Sequence, residues 1–315
     1  KLHFFFPIQC DNLELALKWA SAPFMTNQVK IWYLNTVSWA EISIIKKAKL
    51  RIPIIAYLTN KKRFSNQKEY DDLLLIDYKD ALVFPGMVDL HIHAPQYAFR
   101  GMCMDLELMD WLNSYTFPEE EKYADLDYAE KAYSLFVDTL KKGATTRSCI
   151  FATRHRYATE LLMKMMEESG LISYVGKVNM DREASEKLVE ESAEISAYDT
   201  FGWINAVKDK FQNTKPILTP RFIPCCTDKL MEELREIQMA YGIPVQSHLS
   251  ESKGEIEFVK SLRPNNQFYG DSYNEYDLFG KNDDINTDVK TVMAHCVWST
   301  DNEVELMRNN GVFIA

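Results

Sequence analysis

The residues best suited to chemistry begin with two histidines, His91 and His93, separated by one residue. Residues 88–93 form a run of β-forming residues, and alternation along a strand places both imidazoles and Asp89 on one face. Two imidazoles on the same face can bind a single metal ion. The alternative is a pair of structural histidines satisfied by hydrogen bonds.

A second candidate is His248, which ends a predicted strand at residues 243–249 and is followed three residues later by Glu251. Active sites of parallel α/β barrels collect at the C-terminal ends of the strands, where both residues fall. A carboxylate just beyond a metal-binding histidine is placed to move protons. An isolated His248 would be read as structural, and its neighbour favours the functional interpretation.

A third strand-end histidine is His295, in a predicted strand at residues 289–297 whose alternation puts it on the same face as Met293. Four of the six histidines therefore fall at three strand ends. The other two, His3 and His155, have no such position and are interpreted as ordinary polar residues.

Nitrogen ligands with an open coordination position suit Zn²⁺, with Fe²⁺ as the second candidate. Such an ion would lower the pKa of a bound water, and Glu251 would take the proton and pass it to a leaving nitrogen. The sequence contains no G-x-S-x-G elbow, Walker A loop or G-x-G-x-x-G. It also lacks the H-x-E and P-C-x-x-C pair of the other zinc deaminases, since Cys225 and Cys226 do not fit that spacing.

From about Leu82 the chain alternates β-type runs with amphipathic helical stretches, which predicts an α/β fold with a parallel sheet. The strands are predicted at 88–93, 145–151, 172–180, 216–222, 243–249 and 289–297, and the helices at 127–142, 156–169, 183–211, 228–241, 253–262 and after Thr300. This gives six βα units and the start of a seventh. The expected architecture is a TIM-like (β/α)8 barrel that lacks its last strands.

Composition excludes several partners. Lysine and arginine number 36 against 46 acids, a net charge of −10, and no basic stripe is present. We therefore expect neither nucleic acid nor an anionic membrane as a partner. The six cysteines have no disulfide-scaffold or zinc-ribbon spacing, which is typical of reduced thiols in a cytoplasmic protein.

Residues 85–120 closely resemble the guanine deaminases of the amidohydrolase superfamily. The H-x-H motif alone would indicate only the superfamily. The motifs HAPQY, WLNSYTFPEE and TPRF are specific to a much smaller group of proteins within it. Residues 175–181, 219–222, 246–251 and 293–296 also resemble this family, so the resemblance covers about residues 77–315. It implies an enzyme of purine catabolism that hydrolyses guanine to xanthine and ammonia.

The resemblance also implies roles for individual residues. His91, His93 and His248 would bind the metal, Glu251 would shuttle protons, and His295 would polarise the attacking hydroxide. The residues implied to hold the purine are Gln96 and Arg221 at its polar edge, Phe222 stacked on the ring and Trp111 lining the same pocket. Trp111 and Phe222 could equally be core aromatics.

Two parts of the chain depart from the family's pattern. The family's final metal ligand is an aspartate in a G-S-D or G-T-D setting, which has no counterpart here. Residues 1–76 are a segment of uncertain fold, unlike the family's β-sandwich, in which strands at 4–6, 29–34 and 52–58 and helices at 12–20 and 39–50 suggest a βαβαβ order. By the resemblance, residues 77–315 are expected to form an incomplete metal-dependent barrel.

Two other functions stay open at this point. One is another cyclic-amidine aminohydrolase that uses the same metal site, and the other is a non-catalytic relative that keeps part of the barrel. Apolar strand edges exposed by an open barrel would favour pairing, so we expect a homodimer.

Overall fold

The computed structural model describes residues 86–280 and 290–315, together with the backbone of strands β1 (Ile31–Trp32) and β2 (Ile55–Ala56). The chain divides into two compact units, Lys1–Gly86 and Met87–Ala315.

Within the first unit, β1 and β2 pair in parallel. Both lie inside predicted strands. The predicted strand at 4–6 and the helices at 12–20 and 39–50 lie outside the described residues.

Parallel strands build the second unit. Their bounds are β3 (Met87–His93), β4 (Thr145–Phe151), β5 (Ile172–Gly176), β6 (Val178–Asn179), β7 (Thr214–Pro216), β8 (Thr219–Pro220), β9 (Val245–Leu249), β10 (Thr291–His295) and β11 (Phe313–Ile314). β5 with β6, and β7 with β8, are halves of two interrupted strands that pair in parallel with each other. A bridge between Leu218 and Val245 joins the second of these to β9.

The strands follow one another in chain order from β3 to β11, as in a (β/α)8 barrel. Seven strand positions occur in the described part of the chain, and Cα atoms of β10 come within 8 Å of β3. This confirms the TIM-like α/β barrel architecture predicted from the sequence.

Amphipathic helices surround the strands. The long ones are α1 (Leu126–Lys142), α2 (Arg156–Ser169), α3 (Ala193–Val207), α4 (Asp228–Tyr241), α5 (Lys253–Leu262) and α6 (Asp301–Asn310). Helices α2, α4 and α6 end at glycines with positive φ, at Gly170, Gly242 and Gly311. In the part of the chain that is described, no helix has the length and apolarity needed to cross a membrane.

The described residues form three hydrophobic clusters, two of which pack on opposite faces of the strands. The larger one lies between the strands and the helices, where outward-facing strand residues such as Ile150 and Met293 pack against helix residues such as Phe136 and Leu234. A small inner cluster of Cys149, Ile217 and Val292 contacts Leu90 of β3. This inner cluster closes the barrel interior below the C-terminal ends of the strands.

One predicted element is wrong. Residues 183–211 were predicted as a single helix, but α3 begins only at Ala193, after a loop that contains Glu183 at a φ of +46°. The Glu190 carboxylate anchors this loop, because it accepts hydrogen bonds from Lys177 Nζ at 2.7 Å and from the main-chain nitrogen of Met180 at 3.0 Å. A buried ion pair therefore overrides the local helical propensity.

Candidate metal and active site

Four histidines converge at the C-terminal ends of β3, β9 and β10. The ring centroid of His91 lies 4.8 Å from that of His93, 4.9 Å from that of His248 and 4.9 Å from that of His295. The Nε2 atoms of His93 and His248 are 3.0 Å apart. Ligand atoms of His91, His248 and His295 all lie within 4.8 Å of one another.

The β3 strand is irregular where it carries its two histidines. Its pairing with β4 shifts register between Met87 and Val88 and again between Asp89 and Ile92. Leu90 consequently packs into the inner cluster while Ile92 packs against the helices, although strict alternation predicted one shared face. His91 and His93 nevertheless lie side by side, with ring centroids 4.8 Å apart.

His295 enters the site in a way that alternation did not predict. Met293 faces the outer core, so a regular strand would turn His295 outward as well. Instead His295 has a φ of +74° and Cys296 a φ of +54°, in a region that residues other than glycine rarely adopt. The backbone turns at the end of β10 and brings the imidazole beside His91.

A main-chain contact fixes the orientation of His248. Its Nδ1 donates a hydrogen bond of 2.6 Å to the carbonyl oxygen of Arg221, which can only accept. The lone pair of the neutral ring is therefore on Nε2, the atom that faces His93. A hydrogen bond to the distal nitrogen is the usual way in which a protein orients a metal-binding histidine.

The protonation states suit a cation. Burial lowers the pKa of His91 to about 3, with His295 contributing to the shift. Burial also lowers the pKa values of His93 and His248 well below their ordinary value. The rings are then neutral, which is the form that binds metals. The enclosed Nδ1 atoms of His91 and His93 have no hydrogen-bond partner among the described residues, so the cluster fits a metal ion.

Glu251 lies beside the histidines, with Oε2 at 3.4 Å from Nε2 of His295. Its main-chain nitrogen donates a 2.8 Å hydrogen bond to the carboxylate of Glu255, which holds the start of the following loop. Burial raises the pKa of Glu251 to about 7, and the charge of Glu255 acts in the same direction. A carboxyl group with such a pKa can exchange protons near neutral pH.

Arg221 and Phe222 follow β8 directly and are both buried. The Phe222 ring lies 6.3 Å from that of His248, and Arg221 is close enough to influence the pKa values of His93 and Glu251. The structure therefore brings both residues to the histidine cluster.

Sequence reasoning missed Glu120 as a site residue. Its Oε2 accepts a 2.7 Å hydrogen bond from Nη1 of Arg221, and the side chains are 0% and 2% exposed. The Arg221 guanidinium also lies 5.1 Å above the ring of Phe117. The signal was present, because a narrow family motif ends at Glu120, but its partner lies 101 residues away and no local pattern pairs them.

The other two residues predicted to hold the purine are Trp111 and Gln96. Trp111 donates to the carbonyl oxygen of Met102 at 3.3 Å and belongs to the apolar cluster that also contains Phe222. Gln96 lies in the short 3-10 turn Pro95–Phe99 that directly follows β3, and it is partly exposed. Neither side chain has a described contact with the four histidines.

Comparison with known proteins identifies the family. Residues 82–315 match the model of the Amidohydrolase family. The chain belongs to this family. Metal dependence is a property of amidohydrolases, in agreement with the convergent histidines.

The similar amidohydrolases include guanine deaminases. That of Dictyostelium discoideum is 40% identical over 234 residues, which are 74% of this chain and 50% of that protein. That of Rattus norvegicus is 40% identical over 232 residues, 73% of this chain and 49% of that protein. This amidohydrolase chain thus spans about half the length of the curated relatives it matches.

A solved structure agrees with the sequence comparison. The crystal structure of guanine deaminase from C. acetobutylicum with bound guanine in the active site matches with a TM-score of 0.74 and 44% identity. The match covers 79% of this chain and 57% of that one.

Proposed function

We propose that this amidohydrolase chain carries the catalytic centre for the hydrolysis of guanine to xanthine and ammonia. The observation that supports this most is the convergence of four histidines from three strands beside Glu251. The similar guanine deaminases, one of them with guanine in its active site, support the choice of substrate.

His91, His93 and His248 would hold the metal, for which we propose Zn²⁺ because neutral imidazoles in an open site favour it, with Fe²⁺ second. When bound, the ion supplies the chemistry that makes a water molecule nucleophilic near neutral pH. Glu251 takes a proton and delivers it to the leaving nitrogen, and His295 donates a hydrogen bond to the attacking oxygen.

The substrate would lie beside the histidines on the Arg221 side. Arg221 and Gln96 would hydrogen bond to the polar edge of the purine, while Phe222 and Trp111 supply apolar contacts. Water adds to the ring carbon that carries the amino group, and the carbon–nitrogen bond then breaks to release ammonia.

The test is ammonia and xanthine production from guanine by the purified chain loaded with Zn²⁺. Glu251→Gln should lower turnover by about 10²- to 10⁴-fold, and Glu257→Gln, on the exposed face of α5, is the matched control. Ammonia release from adenine, cytosine or a triazine but not from guanine would replace the substrate with another cyclic amidine. No release from any of them would leave a non-catalytic barrel.

We also propose a homodimer located in the cytoplasm. The dimer follows from the sequence prediction that uncovered apolar strand edges favour pairing. The described cysteines are free, as expected for a reducing compartment. Light scattering after size-exclusion chromatography measures the mass directly, and a monomer would contradict the dimer.

A further inference from the structure

The ion pair between Glu120 and Arg221 leaves several donor and acceptor atoms of both side chains without a hydrogen bond to the described residues. Only Nη1 of Arg221 is bonded, to Oε2 of Glu120, and Nε and Nη2 make no hydrogen bond to the described residues. The other carboxylate oxygen of Glu120 is enclosed and has no partner among the described residues. Arg221 therefore has unused donors at a site where a substrate is expected.

Three contacts hold Arg221 in place. Its Nη1 binds Glu120, its guanidinium packs over the Phe117 ring, and its carbonyl oxygen accepts from His248. A guanidinium is planar, with its five N–H donors in a fixed array. Once one nitrogen and one face are fixed, the directions of the remaining donors are fixed too. The position of the Glu120 carboxylate thus sets where Nε and Nη2 point.

Glu120 does not act as a ligand itself, because its side chain is fully enclosed and its free oxygen is covered. We propose that Glu120 is a positioning residue that orients the Arg221 guanidinium, so that the site selects rings carrying a carbonyl oxygen opposite the free donors. The inference rests on the proposed function for the place where the ring binds.

The test uses two purines that lack the amino group and cannot be deaminated. Hypoxanthine has the ring carbonyl at position 6, and unsubstituted purine does not. Equilibrium binding of both to the Zn²⁺-loaded full chain should favour hypoxanthine, and Glu120→Gln should reduce that preference by about tenfold or more, the usual scale of one hydrogen bond to a charged group. Purine binding should change little.

The matched control is Glu119→Gln, the same substitution one residue away. Glu119 is bonded to Lys122 and Tyr128 and not to Arg221, so the preference should stay at the wild-type value. In an Arg221→Gln background, Glu120→Gln should have no additional effect on the preference. An additional effect there, or a preference within twofold of wild type in folded Glu120→Gln, would overturn the inference.

A second variant covers the case in which Glu120→Gln does not fold. Glu120→Asp keeps the charge but withdraws the carboxylate by one methylene, so the fold should persist while the preference falls; an unchanged preference contradicts positioning. The two proposals can fail separately. A wild-type chain that prefers hypoxanthine but releases no ammonia from guanine refutes only the proposed function. A chain that deaminates guanine but shows no preference refutes only the inference.

Discussion

At the scale of single residues, the site combines groups whose charges are controlled by burial. The buried histidines stay neutral because desolvation disfavours the imidazolium form, whereas the same burial keeps a proton available on Glu251. A cluster of neutral bases beside a carboxyl group of raised pKa is suited to moving protons to and from a substrate. The residue types are visible in the sequence, whereas their charge states depend on burial in the fold.

Glu251→Gln keeps the shape of the side chain and removes its acid–base chemistry. We expect the rate of guanine deamination to fall by about 10²- to 10⁴-fold, the usual contribution of a positioned proton-transfer group. The metal content should be unchanged, because Glu251 is not among the residues expected to hold the ion. Steady-state kinetics with metal analysis of the same samples checks both, and a variant that retains full activity would remove Glu251 from the mechanism.

The sequence predicted the centre of the site better than its edges. His91, His93, His248 and His295 were found because strand ends in a parallel α/β fold meet at one side, so position along the chain was sufficient. The turn that admits His295 and the register shifts in β3 were not predictable, since they depend on backbone angles and pairing. Glu120 was missed because its role comes from a distant partner.

At the scale of elements, helix and strand positions were predicted wherever hydrophobic periodicity was strong. Strand β4 and helices α2, α4 and α5 have the predicted bounds. The helix predicted before α3 is absent because a buried ion pair, and not hydrophobic periodicity, determines the structure of that segment. Interruptions within β5–β6 and β7–β8 also left no sequence signal.

Gly176 shows how closely these interrupted strands approach one another. A Cβ atom at this position would lie 1.8 Å from Oγ1 of Thr219 and 2.8 Å from Nε2 of Gln246. Gly176→Ala should therefore lower the free energy of unfolding by about 1–3 kcal/mol or more, as overpacking does. Urea denaturation followed by circular dichroism measures the change.

Gly143→Ala is the control for that substitution. The nearest atom to its Cβ would be the Leu140 carbonyl oxygen at 3.4 Å, an ordinary contact, and its φ is −87°. The free energy of unfolding should change by less than about 0.5 kcal/mol. Equal losses for the two variants would show that Gly176 is not tightly packed.

His155, which precedes α2 and is not one of the four clustered histidines, predicts a pH effect on stability. Burial lowers its pKa from 6.5 to about 4, assisted by Arg154 and Lys177. As the pH falls, His155 is protonated near pH 6.5 in the unfolded chain but only near pH 4 in the folded chain. The contribution of neutral His155 to the free energy of unfolding is complete above pH 6.5 and is lost as the pH falls towards 4.

His155→Gln removes this titration. Between pH 7.5 and pH 4.5 the melting temperature of the variant should fall less than that of the wild type, and the remaining histidines contribute equally to both proteins. Calorimetry at the two pH values gives the comparison. An identical fall in both proteins would mean that His155 is protonated at the same pH in the folded and unfolded chain.

At the scale of the whole molecule, the histidine cluster joins strands that are far apart in sequence. In the proposed metal site β3 would supply two ligands, His91 and His93, and β9 a third, His248, which lies 155 positions after His93 along the chain. An ion bound to these residues stabilises only the folded state and so ties the first and fifth strand positions together.

Chelation should therefore lower the melting temperature of the entire Met87–Ala315 unit, and Zn²⁺ should restore it. At a free metal concentration of about 100 times Kd the expected stabilisation is about 2.7 kcal/mol. His248→Ala should lose the response to both treatments, whereas His155→Gln should keep it. A wild-type melting temperature that is indifferent to chelator and metal would contradict a bound ion.

Arg221 makes one contact with its side chain and another with its main chain, and a substitution removes only the first. Its side chain faces Glu120, whereas its carbonyl oxygen, which every amino acid possesses, receives the proton of His248. Replacing the side chain removes the guanidinium and leaves the acceptor for His248 in place. A substitution at Arg221 should therefore test the proposed ring preference while keeping the main-chain acceptor that orients His248.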